Sequence, residues 1–486
     1  MTDIKAIEEA GSYVAAQAGK AGATYADFRA VAITAESVRL SDGKPDLINR
    51  KVTFGYGIRA LADGAWGFAA TPDLTKASVS DSLREAVQIA RSSAKLAPRP
   101  AQLAPLTPAQ GDYKTPLQTD PFTLALKEKV QYLQHLDELL KATQGINSTG
   151  TFLDFRREEK WFYSSAGSVV TQNIVHSGGG FTAAAKRSRR EVGERSFPTS
   201  GGQYASGGYE IITALGMESA CPEIAQQALA LLDAPSLTER RTNLILAGDL
   251  VSLQLHESVG HPLELDRVFG SERNFSGTSF ATPEKLGNLR YAASIVTIES
   301  DPTAPAGLGS FGFDDEGVPA HAATLIDKGL LVNYLSSRET AARVNKDSTG
   351  AMRAESWTDL PLVRMTNINL TPGSGTLEQL IADTEDGVLI STPDKWSIDD
   401  RRENFQLGGE IAWEIKDGKR GQIFKNAVYS GSTVDFWNSC DRICGPEEYR
   451  IWGTPSCGKG QPGQNMRTGQ GASPARFRNV KVGQPA

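Results

Sequence analysis

The chain has 486 residues, of which 40% are hydrophobic and 22% are charged, and its formal net charge is −6. This length predicts two or three domains, and the composition excludes a collagen, a coiled coil and a disordered chain. Because nucleic-acid binding depends on clustered Lys and Arg, the acidic balance does not support it. No run reaches the ~18 apolar residues of a membrane helix, and the N-terminus predicts an amphipathic helix rather than a secretory signal, which favours a cytoplasmic protein.

The first half of the chain mixes helical and strand-like patterns. Alternating residues over 52–60, the turn dipeptide Asp63-Gly64 and a second run over 65–70 predict a β-hairpin. Helices are predicted around residues 83–90 and 126–140, and a further helix ends near Asp233. Residues 97–121 contain six of the 24 prolines, which predicts a linker or an extended surface loop.

The second half favours β-structure. Residues 243–247 form a short apolar run, and beyond residue 290 apolar runs are separated by tight turns such as Asp417-Gly418. We therefore predict an α+β fold. Region 1–235 would pack helices on an antiparallel sheet, and region 236–486 would be a mostly antiparallel β domain that carries the metal site.

One segment in the middle of the chain concentrates residues suited to metal chemistry. The chain has five histidines, and two of them, His256 and His261, lie close together. Asp249 is a good N-cap for a helix that starts at Leu250 and would carry both. Glu257 follows the first histidine, as the general base does in the His-Glu-x-x-His motif of zinc peptidases.

The spacing of the two histidines exceeds that motif by one residue. In a regular α-helix, residue i+5 lies roughly 140° away around the axis, so the two imidazoles would diverge. A π-type turn brings residue i+5 back over residue i, and Gly260 and Pro262 favour such a departure. We therefore predict a bulged or terminating helix that directs His256 and His261 to one metal ion.

The residues alone leave other interpretations open. Two histidines at this distance also occur by chance or as a structural pair, and Arg364 is as compatible with a structural role as with stabilising a developing charge. A catalytic zinc needs a third protein ligand. The candidates are Glu264, Asp266, His321, Cys440, Cys444 and Cys457. His321 fits a strand residue better than a ligand, and Cys440 and Cys444 fit packing residues, a labile disulfide or a separate zinc site.

Several dispersed segments resemble the TldD/PmbA family of metallopeptidases. They are the His-Glu-x-x-x-His segment at 256–266 and the segments 55–71, 314–317, 364–367 and 457–461. The resemblance implies that His256, His261 and Cys457 hold zinc and that Glu257 is the general base. It further implies an N-terminal α+β part and a β-rich C-terminal domain, assembled as a dimer around an enclosed cavity.

The family also has silent sister subunits without the histidine motif, and this chain resembles the active subunit. The expected function is zinc-dependent hydrolysis of short or unfolded peptides, by a homodimer or by a heterodimer with a sister subunit. The alternatives are a non-catalytic protein with a structural zinc and a regulatory subunit that binds a peptide or toxin without cleaving it.

Overall fold

The computed structural model describes residues 3–484. Its α-helices are α1 Ile4–Ala21, α2 Lys76–Ala94, α3 Leu126–Lys141, α4 Glu210–Ala214, α5 Met217–Asp233, α6 Gly248–Leu255, α7 Leu265–Val268, α8 Arg338–Ala342, α9 Leu377–Ala382 and α10 Thr433–Asn438. The strands of the first half are β1 Tyr25–Ser41, β2 Lys44–Ala62, β3 Ala65–Thr71, β4 Gln110–Lys114, β5 Ser148–Ser164, β6 Val169–Lys186, β7 Val192–Phe197 and β8 Gln203–Ser206.

The strands of the second half are mostly shorter. They are β9 Arg240–Leu246, β10 Ile298–Ser300, β11 Ala323–Asp327, β12 Leu330–Leu331, β13 Met352–Arg353, β14 Leu362–Val363, β15 Asn367–Leu370, β16 Asp386–Ile398, β17 Asn404–Lys416, β18 Lys419–Phe424, β19 Ala427–Ser432, β20 Cys440–Ile443, β21 Arg450–Lys459, β22 Gln464–Ala472 and β23 Ala475–Val482. None of the helices within residues 3–484 has the length and apolar character needed to cross a membrane.

The N-terminal sheet has the strand order β3-β2-β1-β5-β6-β4, with β7 and β8 also paired to β6. Its pairings are antiparallel except that of β4 with β6. Helices α1 and α2 pack over β1–β3, and α3 and α5 pack over β5 and β6. The predicted α+β fold with helices on an antiparallel sheet is therefore confirmed.

The turn between β2 and β3 illustrates how local sequence sets this sheet. Asp63 and Gly64 both have positive φ, at 51° and 79°. Such angles match the twist of a two-residue hairpin, which is why Asp-Gly is favoured there. The resulting register pairs Ala62 with Ala65 and continues to Tyr56 opposite Thr71.

The proline-rich segment is less irregular than we predicted from its composition. Residues 110–114 form β4, which pairs in parallel with β6, while Ala104 exchanges backbone and guanidinium hydrogen bonds with Arg338 of α8. The strand has a polar sequence without apolar alternation, and its partner lies far along the chain. Because of both properties, the local sequence pattern does not predict β4 as a strand.

The C-terminal half is built on two larger sheets. One has the order β12-β11-β10-β15-β22-β21, and the other contains β16-β9-β23-β19-β17-β18, with β20 added to β23. Most of these pairings are antiparallel; β9 with β16 and β15 with β22 are parallel. Helix α6 contacts strands of both sheets, so its side chains lie in the largest apolar core of the molecule.

Buried ion pairs join the N-terminal sheet to the C-terminal half. Asp315 accepts from Arg29 of β1 at 2.9 Å and from Lys160 of β5 at 3.0 Å. Glu316 lies 3.3 Å from Arg59 of β2, and these side chains are almost fully buried. The segment 314–317, which contributed to the family resemblance, thus has a structural role between the two halves.

Candidate metal centre

The helix that carries the two histidines changes its winding where the sequence predicts. Helix α6 ends at Leu255 and continues as a π turn over His256–Gly260, in which the His261 N–H donates to the His256 carbonyl. A 3₁₀ turn over His261–Leu263 then ends the helical segment. The predicted departure at Gly260 and Pro262 is confirmed, and the two rings lie with centroids 4.9 Å apart.

The start of the helix differs from the prediction. It begins at Gly248, and Asp249 lies in its first turn instead of at the N-cap position. The Asp249 carboxylate accepts from the Thr392 N–H at 3.0 Å and therefore links the helix to β16. A Cβ at Gly248 would lie 3.2 Å from Trp452 and 3.3 Å from the Ala472 carbonyl, so glycine suits the close packing of the helix start against β21 and β22.

Three predicted ligands converge although one is distant in sequence. The possible ligand atoms of His256, His261 and Cys457 all lie within 4.8 Å of one another. The distance from Cys457 Sγ to His261 Nε2 is 3.5 Å, and all three residues are buried. Within residues 3–484, no second group of three His, Cys, Asp or Glu side chains meets the same distance.

The charges around Cys457 favour a thiolate. Burial alone would raise its pKa, but His256, His261 and Arg364 lower the pKa well below the ordinary value. Burial likewise disfavours a charged His261, yet Cys457 and Glu264 raise its pKa to about 9. A proton on His261 opposite a Cys457 thiolate is therefore favoured, and a bound cation would displace that proton.

A buried network of charged side chains contacts His261 on the side of the ring away from Cys457. Its Nδ1 lies 2.9 Å from Glu264 Oε2, which leaves Nε2 directed at Cys457. Lys459 Nζ lies 3.4 Å from Glu264, 2.7 Å from Asp266 and 3.4 Å from Glu272. Glu264 and Asp266, which the sequence left as possible ligands, thus contact His261 and Lys459 instead.

The other candidates lie outside the cluster. His321 is exposed and contacts the Pro319 carbonyl, and Cys440 and Cys444 are buried free thiols in two different apolar clusters. Arg364 is fully buried and donates to the Cys457 carbonyl, so it holds β21 in place. This position fits the structural interpretation of Arg364.

A cavity of about 700 Å³ opens beside the three converging side chains. Its walls are residues 199–201, one side of the helical segment 249–261, residues 393, 396–398 and 402 near the β16–β17 turn, and strand residues 452–458. Glu257 lies in this wall, and its carboxylate contacts the guanidinium of Arg402. Burial would raise the pKa of Glu257, but His256, His261 and Arg402 together lower it, so the residue is an anion.

Three family models match successive parts of the chain. A PmbA/TldA metallopeptidase domain 1 matches residues 26–94, the central domain matches 119–232 and the C-terminal domain matches 239–484. The chain belongs to the PmbA/TldD family. The family resemblance found in the sequence is thereby confirmed, and the C-terminal match contains all three converging residues.

Curated relatives match the PmbA/TldD chain over nearly its whole length. A metalloprotease of Methanothermobacter thermautotrophicus is 27% identical and covers 94% of this chain and 95% of its own. A metalloprotease of Methanocaldococcus jannaschii is 28% identical, with 93% and 95% covered. TldE from Thermococcus kodakarensis is 16% identical with a TM-score of 0.74, covers 98% of this chain and 100% of its own, and shares the fold.

Proposed function

We propose that this protein is a zinc-dependent peptidase that hydrolyses short or unfolded peptides. The observation that carries the proposal is the convergence of two imidazoles and one thiolate in the wall of a cavity that also presents a carboxylate. Relatives named metalloproteases support the hydrolytic class. His256, His261 and Cys457 are proposed as metal ligands and Glu257 as the general base.

The residues present suit a metal of this kind. The Nδ1 atom of His256 is buried without a hydrogen-bond partner, which a bound cation or its ligand shell would explain. Two imidazoles and a thiolate are donors that favour zinc over magnesium or calcium. Three protein ligands also leave one position for the reactants, as in catalytic zinc sites.

The chemistry divides between the metal and Glu257. Zinc held here would polarise the scissile carbonyl and make a water molecule acidic near neutral pH. Glu257, whose pKa is lowered by its cationic neighbours, accepts the proton of the attacking water and later donates it to the leaving amine. Glu264 fixes the orientation of the His261 ring, and Arg364 fixes the Cys457 backbone.

The shape of the cavity suits an extended peptide. Strand β21 is at the edge of its sheet, because among the described strands it pairs with β22 alone. Residues 454–458 of this edge line the cavity and include Cys457, so a peptide added as a further strand would pass the metal site. A volume of about 700 Å³ accommodates a few residues and excludes a folded protein.

We also propose that the chain works as a dimer, either with a second copy or with a sister subunit. The shared fold with a chain named TldE supports a sister-type partner. Size measurement of the purified chain, alone and after co-expression with a TldE-type chain, tests this proposal. A monomer under both conditions would contradict it.

Metal analysis combined with peptide cleavage tests the peptidase. Wild-type protein should contain about one zinc per chain and cleave an unstructured peptide until a chelator is added. Glu257→Gln should retain the metal and lose cleavage, whereas His256→Ala should lose both. His321→Ala is the matched control because His321 is exposed and contacts the Pro319 carbonyl.

Two results would contradict the peptidase. Zinc retained in both His256→Ala and His261→Ala would place the metal elsewhere. Metal-loaded protein that binds peptide without chelator-sensitive cleavage, alone and with a sister chain, would support a regulatory binding subunit.

A further inference from the structure

One cation faces the proposed catalytic base. Arg402 is the single Lys or Arg among the described residues that line the cavity. Its side chain is 12% exposed, and its Nη1 contacts Glu257 Oε2. Among residues 3–484, Glu257 is the one side chain that accepts from this guanidinium, through Nη1, so the group keeps further N–H donors for a ligand.

The loop that carries Arg402 is held by many hydrogen bonds. The Asp399 carboxylate accepts from the backbone N–H groups of Arg401, Glu403 and Asn404 at 3.1, 2.8 and 3.0 Å. The Thr433 hydroxyl donates to the Arg402 carbonyl at 2.8 Å. These bonds join the turn between β16 and β17 to α10 and limit its movement.

Backbone hydrogen bonds from the segment 278–280 also hold this loop. The Thr278 N–H donates to the Asp400 carbonyl at 2.7 Å, and the Phe280 N–H donates to the Arg401 carbonyl at 3.0 Å. Arg402 itself has a φ of 61°, a left-handed conformation that costs energy for a residue with a side chain. These bonds fix the backbone of Arg402 in this conformation and so position its side chain before a substrate binds.

We propose that Arg402 is a catalytic residue that stabilises the oxyanion during peptide hydrolysis. This proposal rests on the proposed peptidase function. Donors fixed in advance where negative charge develops lower the barrier because they need no reorganisation during the reaction. Arg402 meets this condition, whereas Arg364 donates to the backbone of β21 and lies outside the residues that line the cavity.

The step balances without another reactant. The water oxygen forms a bond to the carbonyl carbon, the carbonyl π pair moves onto its oxygen, and the water proton passes to Glu257. Arg402 donates hydrogen bonds to that oxygen and keeps its protons. The oxyanion pair then re-forms the C=O bond as the C–N bond breaks with its electron pair on nitrogen, and the proton on Glu257 goes to that nitrogen.

Kinetics of two Arg402 variants give the first test. Arg402→Met should lower kcat about 10²–10³-fold, the usual effect of removing one oxyanion donor, with KM and zinc content near the wild-type values. Arg402→Lys keeps a cation and should recover part of the loss. Arg401→Met is the matched control, because the neighbouring Arg401 side chain is 58% exposed and pairs with Glu403.

Ligand affinity separates a direct role from one through Glu257. In the Glu257→Gln background, which should bind peptide without cleaving it, Arg402→Met should weaken a phosphinic peptide with a tetrahedral centre about 100-fold. The intact peptide should bind with nearly unchanged Kd. Equal affinity for the phosphinic peptide with and without Arg402 would overturn the proposal and leave only a role in holding Glu257.

A different pattern would assign Arg402 to the substrate terminus. A rise in KM alone, seen for peptides with a free C-terminal carboxylate and absent for their amides, would also overturn the oxyanion role. Failure of wild-type protein to bind zinc, or to cleave peptide both alone and with a sister chain, contradicts the peptidase itself. Active wild-type protein with fully active Arg402→Met contradicts only the role of Arg402.

Discussion

Two regions near the end of the chain contain equally buried cysteines in opposite electrostatic surroundings. Cys457 of β21 and Cys440 of β20 are each 3% exposed. Burial, with a further contribution from Asp441, raises the pKa of Cys440 to about 12. The pKa of Cys457 is instead held well below the ordinary value, because His256, His261 and Arg364 outweigh its burial.

The difference shows what converts a buried thiol into a candidate ligand. Burial by itself favours the neutral thiol, so a cysteine in an apolar core is inert. Cationic or metal-binding neighbours reverse that preference. Cys440 belongs to the apolar core, whereas Cys457 also faces two imidazoles and a cavity. If this contrast in surroundings is also a contrast in function, replacing each cysteine separately should have different consequences for metal binding.

The largest effect is expected from replacing the two cysteines separately. Cys457→Ala should reduce bound zinc from about one ion per chain to near zero, and peptide cleavage with it, because the third ligand is lost. Cys440→Ala should keep both. Elemental analysis and cleavage assays measure these outcomes. Zinc retained in Cys457→Ala would show that Cys457 is not a metal ligand and that the two cysteines do not differ in function.

The next effect concerns Lys459, two residues beyond Cys457. Lys459→Met would leave Glu264, Asp266 and Glu272 buried without their shared cation, which should lower the free energy of unfolding by about 3–5 kcal/mol. Urea denaturation measures this change. Lys481→Met, which removes a half-exposed ion pair with Glu239, should cost under about 1 kcal/mol. Similar costs for both variants would refute the network.

A smaller effect is expected behind His261. Glu264→Gln removes the charged partner of Nδ1 and should weaken zinc binding about 10–100-fold while the fold persists. Competition with a chromophoric chelator measures the affinity. An unchanged affinity would show that the ring needs no support from Glu264.

The smallest effect is the contribution of Cys440 to the pH dependence of stability. Its folded pKa of about 12 exceeds that of an unfolded thiol, so ionisation of the unfolded chain reduces stability as pH rises from about 9 toward 12. Between pH 8 and pH 10, Cys440→Ala should therefore lose about 1.5–2 kcal/mol less stability than wild type. Denaturation curves at the two pH values measure this, and equal losses would contradict the raised pKa.

Local sequence patterns predicted much of the fold. The Asp63-Gly64 turn and the π turn before His261 follow from residues within a few positions, because their backbone angles and hydrogen bonds are set locally. The polar strand β4 escaped prediction because its pairing with β6 is long-range. The prediction that Asp249 is an N-cap is wrong. Its carboxylate bonds to Thr392 instead, and this contact depends on tertiary packing that the local sequence does not show.

The candidate site was only partly accessible to sequence reasoning. His256, Glu257 and His261 form a recognisable pattern, whereas Cys457 came from family resemblance. Lys459 and Arg402 gave no signal of their own, because each acts on residues more than 140 positions away. Charged residues in a glycine-rich segment and in a polar turn suggest exposed positions, and only the folded chain shows that Lys459 is buried.

The order of these side chains along the polypeptide has a consequence for synthesis. The sulfur follows the second imidazole by 196 positions. A ribosome therefore releases both histidines, and most of the cavity wall, well before the strand that completes the centre. If the proposed ligand set is correct, the growing chain cannot capture its ion tightly until the strand that carries Cys457 has been synthesised and has paired with its sheet.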